Sequence, residues 1–222
     1  MIYPLELQRD HLLLQLPEGC WIVDTGSPQS FGDHRTVSLA NKSFEVSSNL
    51  IGLNAKALSD LSEISVQGLI GTDILNEFDI LFDVPAGQVT FSELPLNTVG
   101  KSFPIDFVMG VPTASIHIQS REVAMVFDTG ATFSYWQDSA LESFSEKETR
   151  KDYFPGVGEF EVKTFHVSIT LGDLEFQLEC GRLPEMLGLT LSLIGVEGIL
   201  GVEFFREIKL GYLPRHNQIV LL

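Results

Sequence analysis

Two stretches of this 222-residue chain carry side chains able to do chemistry together. Asp24-Thr25-Gly26-Ser27 and Asp128-Thr129-Gly130-Ala131 stand 104 residues apart. Each directly follows an apolar run, Trp21-Ile22-Val23 in one case and Met125-Val126-Phe127 in the other. One such tripeptide is weak evidence: Asp and Gly are common turn formers, and usual residue frequencies give a chance match about one time in twenty at this length. A second copy in an equivalent position is not explained that way. Two carboxyls brought together away from water are costly unless they share a proton and accept hydrogen bonds. A pair in that condition has one ionised and one protonated member, the requirement for acid-base work on a bound water.

The elements that must position the pair are themselves repeated. Leu69-Ile70-Gly71 matches Ile199-Leu200-Gly201 at an offset of 130, in a register that runs without a gap over 36–92 against 166–222. Identities in it include Val37/Val167, Ser38/Ser168, Glu45/Glu175, Leu61/Leu191, Gly68/Gly198 and Glu77/Glu207. The chain reads as two copies of one unit, the second carrying 26 extra residues between its Asp-Thr-Gly and the shared register. The Pro, Asn and Gly of 93–102 predict the connection, giving an N-terminal lobe over 1–96 and a C-terminal lobe over 97–222. In a two-fold pair of units each loop meets its equivalent at the axis, which would put Asp24 against Asp128. Around the motifs, short Val, Ile, Leu and Phe runs such as HLLLQL, ASIHIQS and TFHVSITLGDLEFQLEC, separated by Gly, Pro, Asn and Asp, predict a mostly β fold. Helical spacing appears in short pieces, at 72–78, at its counterpart 202–208, and over 137–150 with Leu141 and Phe144 on one side.

Apolar-apolar-Asp-Thr-Gly-Ser/Ala followed downstream by apolar-apolar-Gly, once in each copy, resembles the signature of the aspartic peptidases over nearly the whole chain. Two compact copies look like a fused pair of retroviral-type units, and Gly71-Thr72-Asp73-Ile74-Leu75 leading to Phe78-Asp79-Ile80-Leu81-Phe82-Asp83 is close to that pattern. The resemblance implies an all-β, bilobal, pseudo-two-fold fold with a few short helices. It implies an endopeptidase in which Asp24 and Asp128 activate a water against an extended peptide with apolar flanking side chains. Thr25 and Thr129 resemble threonines that cross-link the two loops through their hydroxyls, and Gly26 and Gly130 let backbone N–H groups approach the carboxylates. A Ser27 hydroxyl donating to Asp24, with no counterpart at Ala131, would make Asp24 the ionised partner. The reading from another class is a catalytically silent peptide-binding module on the same fold.

The longer connection of copy two contains Tyr153-Phe154-Pro155-Gly156-Val157-Gly158, where aromatic strands flank a Pro-Gly-Val-Gly turn and predict a hairpin. In the family a glycine-tipped hairpin closes over substrate, which implies that role for Tyr153, Phe154, Gly156, Val157 and Gly158. The plain alternative is a surface hairpin that lengthens the sheet. Gly-Val-Gly is not read as a nucleotide loop, because a strand follows it and no third glycine does. Copy one has only 30–35 in the corresponding place and is expected to be flapless.

Composition narrows the partners. Fourteen Lys and Arg against 30 Asp and Glu give a net charge of −16, which repels phosphate backbones and anionic lipid. Nucleic acid and membrane are therefore not expected partners, whereas a protein or peptide substrate is. Five scattered histidines and two cysteines, Cys20 and Cys180, show no metal-ligand spacing, so neither a metal nor a cofactor is expected. The N-terminus lacks a basic, apolar signal pattern, from which a cytoplasmic protein with reduced thiols is expected. One chain supplying both halves of the site predicts a monomer. Trp21, Trp136 and most Phe are assigned to the core.

Overall fold

The apolar runs become strands where their patterning places them. His11–Leu16, Gly19–Val23, Gln88–Ser92, Val111–Ile118 and Gln218–Leu221 are all extended. The computed structural model describes residues 1–206 and 208–222, so that Glu207, one of the repeat identities, lies outside the described residues. Among the described residues the strands form a ten-stranded sheet, an eight-stranded sheet and a two-stranded ribbon, Thr36–Leu39 with Lys42–Glu45.

The ten-stranded sheet belongs to both halves of the chain. Asp79–Asp83 runs antiparallel to Lys209–Leu213, with Ile80 opposite Tyr212, Leu81 opposite Gly211 and Phe82 opposite Leu210. In the 130-residue register Leu81 and Gly211 are equivalent positions and face each other, while their neighbours exchange partners around them. A local two-fold axis therefore passes between these two residues. Continuous apolar runs mark the strands on either side as buried on both faces. Ile80, Phe82, Leu210 and Tyr212 are buried there, and Phe82 packs edge-on against Phe205, which lies 4.6 Å from Phe127.

The same order of elements recurs after 130 residues: the helix Ala55–Ser62 and the helix Glu185–Leu193, the strand Gly68–Ile70 and the strand Gly198–Leu200, the turn of helix Thr72–Leu75 and the 3-10 turn Val202–Phe205. The last pair occupy the short helices expected at 72–78 and 202–208. The helical expectation over 137–150 needs correction, because only Ser139–Ser143 forms a 3-10 turn and Ser145–Phe154 is a strand. Antiparallel pairing with Gly158–Leu171 overrides the local preference of that charged stretch, and Lys163 reaches Glu146 at 3.4 Å across the pair. No helix is long and apolar enough to cross a membrane among the described residues. Cys20 and Cys180 are free thiols, Cys20 half-buried and Cys180 buried.

Trp21 and Trp136 are both buried, one in each half, so each reports on its own side of the shared sheet. In Trp21→Phe and Trp136→Phe variants, the fluorescence transition of the remaining tryptophan in denaturant should coincide with the far-UV circular dichroism transition. Separate transitions would show that the shared sheet does not couple the halves.

Candidate functional site

Each Asp-Thr-Gly is placed by a parallel strand pair. Trp21-Ile22-Val23 pairs with Gly68-Leu69-Ile70, and Met125-Val126-Phe127 with Gly198-Ile199-Leu200. The ladder continues one residue into each motif: the Asp24 N–H donates to the Ile70 carbonyl and the Asp128 N–H to the Leu200 carbonyl, both at 3.0 Å. The glycine closing each apolar-apolar-Gly lies under the returning loop. A Cβ on Gly71 would stand 2.7 Å from the Ser27 carbonyl oxygen, and one on Gly201 2.6 Å from the Phe133 carbonyl oxygen. Only a bare backbone lets the loop cross at that distance.

The loops are tied to each other by a reciprocal exchange. The Thr25 N–H donates to Thr129 Oγ1 and the Thr129 N–H to Thr25 Oγ1, both at 3.0 Å. Each hydroxyl then donates across the axis, Thr25 to the Phe127 carbonyl at 2.6 Å and Thr129 to the Val23 carbonyl at 2.8 Å. Both threonines are fully buried, so every polar atom in this lattice is satisfied by the opposite half.

Above the threonines the Asp24 and Asp128 carboxyls are neighbours, each lying against the glycine of the opposite loop. Oδ1 of Asp24 accepts from the N–H groups of Gly26 at 2.8 Å and Ser27 at 2.9 Å. Oδ1 of Asp128 accepts from Gly130 at 2.8 Å and Ala131 at 3.2 Å. The glycines are required by the opposite carboxyl as well as by their own. A Cβ on Gly26 would lie 2.2 Å from Asp128 Cγ, and one on Gly130 2.3 Å from Asp24 Cγ.

Burial raises the proton affinity of both carboxyls. Each carboxyl is held down in part by the N–H groups of its own loop, and the two titrate as a pair. The Ser27 hydroxyl, expected to favour the charge on Asp24, donates instead to the Gln29 carbonyl at 2.9 Å, while the Ser27 N–H bonds Asp24. The hydroxyl is buried, not facing solvent.

Two further carboxylates brace the loops, and neither was singled out from the sequence. Asp73 accepts from the Ser30 N–H at 2.9 Å and hydroxyl at 2.6 Å, and Ser30 Oγ accepts from the Gly71 N–H at 2.8 Å. In the second half Gly201 N–H donates to Ser134 Oγ at 2.9 Å, and Ser134 and the Glu179 N–H, the latter at 3.0 Å, bond Glu203. The signal was present: an acidic residue stands two positions after the glycine in both copies of the register.

A cleft of 590 Å³ opens over the dyad, lined by Asp24, Gly130 and Thr132 at its floor. Ile22, Leu53, Leu58, Leu61 and Leu69 form an apolar wall from the first half. The facing wall is the expected hairpin, Ser145–Phe154 with Gly158–Leu171, which brings Tyr153 and Pro155 to the cleft. Tyr153 packs against the first-half cluster that includes Ile22, Phe31 and Leu53. Phe154, Gly156, Val157 and Gly158 form the tip instead, with Phe154 and Val157 exposed and both glycines at positive φ. In the first half Phe31–Gly32 is a buried sheet strand, and the helix Ala55–Ser62 contributes Leu58, Leu61 and Ser62 to the cleft. No group of three or more metal-ligating side chains is present among the described residues.

No protein-family model and no curated protein matches the sequence. Among solved structures, the chain is similar over 100% of its length to the crystal structure of the aspartic proteinase from Irpex lacteus, 96% of which is covered, at a TM-score of 0.53 and 13% identity. At that identity the likeness is one of fold: the chain has the all-β, bilobal fold of the aspartic proteinases.

Burial pushes the Glu203 carboxyl from 4.5 up to about 7. A folded pKa above the unfolded one gives stability that is complete below pH 4.5 and is lost as pH rises through 7, here about 3 kcal/mol. The dyad acts in the same direction. Melting temperature should therefore fall between pH 4.5 and 8, and Glu203→Gln should reduce that fall; an equal fall in the variant would remove Glu203 as a cause.

Proposed function

We propose that the protein is an aspartic endopeptidase assembled from two retroviral-type units in one chain. The observation that carries this reading is the pair of neighbouring carboxyls held over a two-fold threonine lattice, with Asp24 lining an open cleft. Asp24, Asp128, Thr25, Gly26, Ser27, Thr129, Gly130 and Ala131 are the machinery in this reading.

In the reaction, a water seated between the carboxyls loses a proton to the ionised member of the pair and attacks the scissile carbonyl carbon. The protonated member donates to the carbonyl oxygen as charge develops on it. The tetrahedral species collapses by breaking the C–N bond, the amine nitrogen taking the proton that the first carboxyl had acquired. Return of the other proton to the pair restores its starting state, so no net proton is left on the enzyme. The apolar wall of Ile22, Leu53, Leu58, Leu61 and Leu69 fits an extended peptide with apolar side chains. The hairpin around Tyr153 supplies cover and lowers the water content around the reacting bond. Because both halves of the site come from one chain, the active species in this reading is a monomer and needs no cofactor.

The test is cleavage of a diverse peptide mixture mapped across pH 3 to 8, with and without a statine-type inhibitor. Asp24→Asn and Asp128→Asn should each lower kcat/KM by about a thousandfold or more with melting temperature retained, because an amide neither ionises nor carries the shared proton. Folded variants with near-parental turnover would overturn the assignment.

Replacement of 153–160 by a short Gly-Ser turn should weaken inhibitor binding and lower kcat/KM while circular dichroism stays unchanged. Full activity in that variant would reduce the hairpin to a surface extension of the sheet.

A further inference from the structure

One carboxylate in the cleft wall has no role in the steps above. Asp152 lies on the strand Ser145–Phe154, among the residues lining the cleft that contains Asp24 and Gly130. Its Oδ2 accepts from the Tyr135 hydroxyl and its Oδ1 from the Tyr153 N–H at 2.8 Å. It forms no ion pair with any described residue, although cations stand nearby. Arg150, two residues earlier, turns away: it donates to Asp10 at 3.0 Å and Glu179 at 3.2 Å and stacks 4.9 Å over the Phe133 ring. Arg9 is taken by Glu63. His11 shares the cleft, where burial lowers the proton affinity of its imidazole against the pull of Asp10 and Asp152, and its Nδ1 is unpartnered. Lys151 also lines the cleft and is exposed, but forms no ion pair with Asp152. Glu159 on the rim adds a further negative charge.

We propose that Asp152 is a specificity-determining residue that receives a lysine or arginine side chain of the bound peptide, in a subsite on the hairpin side of the cleft. The inference rests on the peptide-cleaving reading of the cleft and deepens it: one wall selects apolar side chains and the other a cation. Burial raises the proton affinity of Asp152, and a substrate cation stabilises its charged form where an isosteric apolar side chain does not. Discrimination then comes from the unpaired charge as much as from the new contact. Tyr135 and the Tyr153 N–H fix the carboxylate orientation in advance, so little ordering is required on binding.

The experiment uses two matched series of peptides, one cleavable and one with a reduced, uncleavable bond at the same place. Each carries lysine or norleucine in turn at the six positions around that bond. At one position the wild-type protein should prefer lysine by about tenfold or more in kcat/KM and in Kd. Asp152→Asn should bring the ratio close to one, and Asp152→Glu should keep it above one, with melting curves confirming that both are folded. Absence of any lysine preference in the wild-type protein overturns the proposal whatever the variants do, and so does a preference that survives in Asp152→Asn. If the reduced peptides bind with an Asp152-dependent lysine preference and nothing is cleaved, the endopeptidase reading fails and the Asp152 assignment stands. Cleavage without lysine preference leaves the endopeptidase reading standing and overturns the Asp152 assignment.

Discussion

The juxtaposition of the Asp24 and Asp128 carboxyls is the constraint on which the rest of the structure depends. Two neighbouring like charges repel, and burial raises the cost of charging either one, so a proton held in common stabilises the pair. Holding it requires donors for the charged oxygens and rigid supports beneath them. The N–H groups that follow each aspartate are the donors, and the absence of Cβ atoms at Gly26 and Gly130 is what lets the carboxyls come together. The threonine lattice is the support. It is assembled from backbone carbonyls of the opposite half, so neither half presents a complete site without the other.

That dependence explains the path of the chain far from the carboxyls. The strand pair Asp79–Asp83 and Lys209–Leu213 sets the two-fold axis on which the threonines meet. Phe82, Phe127, Phe205 and Tyr212 fill the space between that sheet and the loops. Asp73 and Glu203 fasten the returning segments that each loop crosses. Outside this shared framework the halves diverge. Both halves carry the helix of the repeat, and the second adds a long hairpin that accommodates the 26 extra residues without disturbing the axis.

The framework was legible in the sequence because a repeat exposes what a single pattern hides. Asp-Thr-Gly twice, each with its downstream apolar-apolar-Gly, placed the strands, the loops and their meeting at an axis. The helix Ala55–Ser62 was not anticipated, although Asn54, whose side chain accepts from the Ala57 N–H at 2.9 Å, is a capping residue in the right place. Its counterpart Glu185–Leu193 was hidden for the opposite reason. Leu187, Leu189, Leu191 and Leu193 alternate as a strand would, and Met186, Leu189 and Leu193 are exposed, so no apolar face marks the helix. At the site, what stayed hidden depends on where a single side chain turns. Ser27 turns to a carbonyl and not to its aspartate, and Arg150 turns away from Asp152 toward Asp10 and Glu179. Rotamer choice is settled by neighbours distant in sequence, and no spacing rule encodes it.

The lone hairpin has a consequence for direction. A peptide has an amino and a carboxyl end, and a cleft with strict two-fold symmetry offers the same surroundings to either orientation. Here the hairpin with Asp152 and Tyr153 borders the cleft, and it belongs to the second half alone. Rotating a bound chain about the axis carries its other end under the hairpin, so its two orientations are no longer equal in energy. The asymmetry gives an otherwise two-fold floor a sense of left and right, fixing which end of a threaded chain lies under cover.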